Sequence, residues 1–118
     1  MRINPISPSE RTRKRTRNRA EAQSPWSEYG SDADYQAWCR KRPSAYSGKT
    51  TNIVFAHYRT ANNSGIGVKP VYSGIPLTQT EHMIQHRIGQ FNFMEKDRWE
   101  FLVEAHLKAW AASVYEKP

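Results

Sequence analysis

Between Arg11 and Arg19 six of nine residues are basic and none is apolar, a run that limits what this chain can fold into more than any other feature. Such a segment cannot bury enough surface to offset the entropy of ordering it, and its charges repel, so it is expected to be disordered. Residues 1–21 hold Arg2, Arg11, Arg13, Lys14, Arg15, Arg17 and Arg19 against Glu10 and Glu21, and so carry five of the seven net positive charges of the 118-residue chain. The rest is nearly balanced. With the joint Gln23-Ser24-Pro25 as boundary, residues 1–25 read as a disordered basic arm and residues 26–118 as one folded domain, too short for two independent cores. Arginine outnumbers lysine five to one in the run, and forked guanidinium donors suit phosphates. The arm is therefore expected to contact nucleic acid through its backbone, releasing counterions and binding salt-sensitively. The bland alternative is a solvated tail.

Composition excludes several classes. The apolar fraction of 37%, with four Trp, six Tyr and four Phe, is enough for a small core. No stretch approaches the roughly 18 uninterrupted apolar residues of a membrane span, and no apolar h-region marks a secretory signal, so a cytoplasmic protein is expected. Cys39 is the single cysteine, which rules out an intrachain disulfide and any four-cysteine zinc fold.

Local signals order the body. Ser31-Asp32-Ala33-Asp34 starts a short helix with a Ser cap and acids in the first turn; Tyr35, Trp38 and Cys39 share its inner face, and Pro43 stops it. Residues 44–51 read as loop, with a turn at Gly48. Asn52 to Tyr58 reads as a strand. A polar connection follows, in which Gly65 and Gly67 mark a turn rather than a nucleotide cradle, since no helix follows them. Val71 to Leu77 reads as a shorter strand pairing antiparallel with the first, its ladder ending at Pro76. Thr78-Gln79-Thr80-Glu81 is a capping box opening a helix that runs to about Ile88, with Gly89 as its stop. The longest helix begins near Lys96, its stripe of Trp99, Leu102, Val103, Leu107, Trp110 and Val114 marking the packed face. Trp26 and Tyr29 either stack on bases or pack the linker against the body.

Three of the four histidines fall on two adjacent elements. His57 ends the first strand; His82 and His86 stand at i and i+4 on the helix, a spacing that lets two imidazoles grip one cation. The strand–loop–strand–helix order turns that face toward the strand carrying His57. A metal on the helix would then bind a scissile phosphate while a strand-borne histidine deprotonates water. His106, inside the long helix, reads as structural or solvated.

Ala56-His57-Tyr58-Arg59, Gly65-Ile66-Gly67-Val68-Lys69-Pro70, Ile75-Pro76-Leu77 and His82-Met83-Ile84-Gln85-His86 with Gly89 resemble the phage-encoded HNH (ββα-metal) endonucleases. The likeness is to the recombination-enhancement Ref type and its small lambdoid-prophage relatives, and runs from about Cys39 to Trp110. It implies an α+β fold: a ββα-metal core with a flanking N-terminal helix and a long C-terminal helix. It also implies a metal-dependent DNA endonuclease of phage recombination or DNA processing, acting in the bacterial cytoplasm, with DNA and a recombination protein as partners. Carried over, His57 matches the general base and His82 and His86 the metal-binding positions, while Arg59 and Lys69 match basic residues that neutralise phosphate. Two departures stand out. Ala56 occupies the position where many HNH enzymes carry a third ligand, and Thr78 a position where relatives carry a zinc cysteine. Two imidazoles suit Zn²⁺, Mn²⁺, Ni²⁺ or Co²⁺ better than Mg²⁺, which prefers oxygen ligands. The rival readings are a catalytically weak or inactive DNA-binding accessory protein on the same scaffold, and a recruitment module that binds metal only to fold.

Overall fold

The computed structural model describes residues 20–60 and 70–115 of the chain. Its architecture is α+β, a two-stranded antiparallel sheet surrounded by helices. A helical turn at residues 20–23 leads into a 3-10 helix, Pro25–Tyr29, capped by the Ser24 side chain. Then come α1 (Asp32–Arg40), β1 (Ile53–His57), β2 (Gly74–Thr78), α2 (Gln79–Ile88), the short α3 (Gln90–Phe93) and α4 (Lys96–Tyr115). The helical turn at residues 20–23 and the start of the 3-10 helix at Pro25 lie inside the stretch 1–25 expected to be disordered, so order begins at least five residues before the expected boundary. They are held by local bonds, the Ser24 N–H donating to the Glu21 carbonyl and the Trp26 N–H to Ser24 Oγ. Trp26 and Tyr29 pack the linker against the body, Tyr29 meeting Trp110 edge-on at 6.2 Å.

Both capping boxes form as their residue types dictate. Ser31 and Asp34 exchange reciprocal bonds at the start of α1, and Thr78 and Glu81 at the start of α2. Thr78 is also the last residue of β2, so α2 leaves the sheet with no connector.

β1 pairs with β2 in the register His57↔Gly74, Phe55↔Pro76 and Ile53↔Thr78. The second strand departs from expectation at both ends. Tyr72 has φ +51, which breaks the extended run; its N–H donates to Asp32 Oδ1 at 2.6 Å and its hydroxyl to the Gly30 carbonyl at 2.7 Å. Pro76, expected to end the ladder, sits inside it. Its carbonyl accepts from the Ala45 N–H on the outer edge, so its missing donor lies on that side and costs no rung to β1. Gly74 is demanded by packing: a Cβ there would collide with the Phe55 ring and the Ala56 carbonyl.

The hairpin has a core on each face. Ala56, Ile75 and Leu77 pack with Tyr58, Met94, Trp99 and Leu102; Phe55 packs with Tyr35, Cys39, Tyr72, Leu107 and Trp110. The first half of α4 serves one cluster and the second half the other. The α4 stripe differs in detail from the expected one, with Val103 and Val114 only half-buried and Ala111 added. No helix among the described residues is long and apolar enough to cross a membrane.

Candidate active site

At the end of the hairpin where His57 pairs with Gly74, α2 faces the last residues of β1 across a cleft of about 360 Å³. The cleft is lined by His57, Arg59, His82, Gln85, His86, Gly89 and Gln90. Each element delivers its side chain for a local reason. His57 closes β1 on the same face as Phe55, whose ring it meets edge-on at 5.0 Å. The ladder continues one step past it, the Tyr58 N–H donating to the Ser73 carbonyl and Ser73 Oγ to the Tyr58 carbonyl. Tyr58 itself lies under the cleft floor, stacked on Trp99 at 5.5 Å, its hydroxyl donating to Glu100 Oε2.

The next residue, Arg59, is held by its backbone. Gln90 accepts from its N–H at 2.9 Å and donates to its carbonyl at 2.8 Å. Gln90 is fixed in turn through its carbonyl, which accepts from the Trp99 indole N–H at 2.8 Å. The guanidinium is therefore exposed at the cleft rim while its main chain is clamped.

On α2 the inner face is polar. Its buried residues are Glu81 and Gln85, whereas Met83 is 64% exposed. Glu81 Oε1 accepts from the Ser44 hydroxyl at 2.6 Å and the Thr78 N–H at 2.9 Å, tying the loop after α1 to the first turn of the helix. Burial alone would raise the Glu81 carboxyl; hydrogen bonds from Ser44, Ser47 and Thr78 outweigh it and hold the group below the usual carboxylate range.

One turn on, His82 is half-buried and His86 exposed. Their rings stand 4.4 Å apart at 77°, with Nε2 facing Nε2 at 3.2 Å. His82 Nδ1 lies 3.1 Å from Gln85 Oε1. An amide oxygen accepts only, so His82 carries its proton on Nδ1 and presents a lone pair from Nε2 toward His86. Burial lowers the His82 pKa; the Gln85 bond opposes this and neighbouring His86 adds to the lowering, so the neutral ring is favoured.

Two nitrogens facing each other at this distance need something between them, either the hydrogen of a neutral His86 Nε2–H or a metal ion. Imidazole nitrogens at about 2.0–2.1 Å from one tetrahedral ion lie about 3.3–3.4 Å apart, so the separation of the pair is close to that of two ligands sharing a cation. Among the described residues no three His, Cys, Asp or Glu side chains stand close enough to share an ion, and Ala56 is fully buried.

The structure thus brings His57, Arg59, His82 and His86 to one cleft. Lys69, Arg11, Arg13, Lys14, Arg15, Arg17 and Arg19 lie outside the described residues, as do Gly65 and Gly67. His106 is structural: Nδ1 donates to the Leu102 carbonyl and the ring meets Trp38 edge-on. Gln85 and Gln90 were not singled out from the sequence. The signal for Gln85 was there, because α2 carries no apolar stripe and a polar side chain had to face inward; nothing local marked Gln90. Comparisons with protein families, with curated proteins and with solved structures found no match to this chain.

Proposed function

We propose that this protein is a metal-dependent DNA endonuclease of the HNH, ββα-metal kind, with His57 as general base and His82 and His86 as metal ligands. The observation that carries the reading is the lining of the cleft: three imidazoles and a guanidinium, with no acidic side chain among its described residues. Such a cleft attracts a phosphodiester and leaves imidazole nitrogens to do acid–base work near neutral pH. When bound, a divalent ion supplies positive charge to the scissile phosphate and to the leaving oxygen. The donor set favours Zn²⁺, Mn²⁺, Ni²⁺ or Co²⁺ over Mg²⁺, because among the described residues it is imidazoles and no side-chain carboxylate that line the cleft.

The chain's own residues divide the remaining work. His57 takes the proton of the attacking water as its oxygen bonds to phosphorus and the P–O bond of the leaving group breaks; solvent protonates the leaving oxygen. Arg59, with its main chain clamped by Gln90, offsets charge on the phosphate. The basic residues from Arg11 to Arg19, together with Lys69, hold DNA through its backbone. Sequence-independent contact is the expectation, since a run of basic residues suits phosphates and carries no order of base-reading side chains.

A second reading has one observation in its favour. Among the described residues only two metal-ligating side chains come close enough to share an ion, which suits an accessory DNA-binding protein with weak or no cleavage using the same cleft. Plasmid nicking in Mg²⁺, Mn²⁺ and Zn²⁺ decides between them. The endonuclease reading predicts nicking by the wild type. It also predicts loss of at least about 100-fold in His57→Ala, with DNA binding retained. Nicking by His57→Ala at the wild-type rate overturns the assignment, and DNA binding without nicking by the wild type favours the accessory protein.

A further inference from the structure

The inner face of α2 poses a question that the histidine pair alone does not answer. A ten-residue helix packed beside the sheet buries a glutamate and a glutamine while leaving Met83 in solvent. Glu81 is accounted for by the cap and the Ser44 loop. Gln85 is not needed for either, yet it is only 5% exposed, and its side-chain oxygen is spent on one partner, the Nδ1–H of His82. An imidazole left to itself populates both neutral tautomers, and the Nε2–H form would aim a proton, not a lone pair, at His86. The Gln85 acceptor selects the other form. It also fixes the ring's rotation, because the bond spans one helical turn between backbone positions that α2 holds rigid.

We infer that Gln85 is a positioning residue: it locks His82 in the Nδ1–H tautomer so that Nε2 is a metal-ready donor facing Nε2 of His86. It acts through His82 and touches neither ion nor substrate. The inference deepens the endonuclease reading and rests on its metal pair, but not on catalysis. Burial matters to it. An exposed acceptor would compete with water for Nδ1–H and hold the ring weakly, whereas the 5% exposure of Gln85 leaves little room for that competition.

Two measurements on full-length protein test it. The first is the ring ¹⁵N spectrum of His82 at pH 8 without metal, in wild type, Gln85→Met and Gln85→Glu. The second is calorimetric titration of the same three proteins with Zn²⁺ alone. The wild type is expected to show the Nδ1–H signature. Gln85→Met, of similar length but without an acceptor, is expected to shift His82 toward Nε2–H and to weaken zinc binding by about 10–100-fold. Gln85→Glu restores an acceptor and is expected to keep the wild-type tautomer and bind zinc at least as tightly as wild type, a rescue that lost packing alone does not produce. Gln85→Met with the wild-type tautomer, or with wild-type zinc affinity, overturns the inference. Absence of zinc binding in the wild type itself overturns the underlying metal pair instead.

Discussion

The aromatic face of the hairpin and the histidine cleft at its end are built on opposite principles. On the aromatic face every ring has several neighbours: Tyr35 alone meets Trp38, Phe55 and Trp110 and donates its hydroxyl to the Gly74 carbonyl. In the cleft Gln85 holds His82 by one hydrogen bond and Gln90 holds Arg59 by two. Redundant packing makes the first region tolerant in geometry and costly to hollow out. Single-point support makes the second cheap in stability and sensitive in function. The two meet at Trp99, which stacks under Tyr58 in the core and holds Gln90 by its indole N–H.

Trp99→Ala is the strongest way to break the contrast. It empties a fully buried site and should cost about 3–5 kcal/mol by chemical denaturation. Trp99→Phe refines the same point: it keeps a ring in the core but drops the bond to Gln90, so nicking should fall more than the melting temperature implies, with zinc affinity little changed. Equal, proportionate losses would show that core and cleft are not linked through Gln90.

Ser44→Ala comes next, at about 1.5–3 kcal/mol, because it removes a hydrogen bond to a buried carboxylate. The sign of its pH dependence follows from Glu81. A carboxyl held below its unfolded value stabilises the fold above that value, and the contribution disappears as pH falls through the folded one. The gap between wild type and Ser44→Ala should therefore be widest at neutral pH and close as the medium becomes acidic; a gap that widens on acidification contradicts the assignment. Gln90→Ala should cost about 1 kcal/mol, since it frees an exposed stretch of main chain at Arg59. It should nevertheless reduce nicking. The smallest effect on stability is His86→Ala, within about 0.5 kcal/mol for an exposed helical residue, with zinc binding abolished.

Much of this fold was legible where a residue type has one local use. Ser31 and Thr78 could only be caps, Gly89 could only be a helix stop, and the stripe from Trp99 to Trp110 could only face a core. What escaped depended on distant partners. Pro76 is harmless inside β2 because its carbonyl and missing donor face Ala45 rather than β1, and Tyr72 leaves the extended region because the Asp32 carboxylate reaches its N–H. Neither fact has a local signature. In the cleft, the i, i+4 spacing announced His82 and His86, and the strand end announced His57. The glutamines that orient the site were silent, because a glutamine reads as surface until the fold buries it.

The central claim is that the imidazoles of His82 and His86 share one divalent ion in the cleft beside His57. Anomalous diffraction from crystals of the protein soaked in Zn²⁺ tests it most directly. The account predicts one strong peak about 2.0–2.1 Å from Nε2 of both rings, on the side facing His57 and Arg59. A cleft without a peak, or zinc bound elsewhere, as at His106, would contradict it.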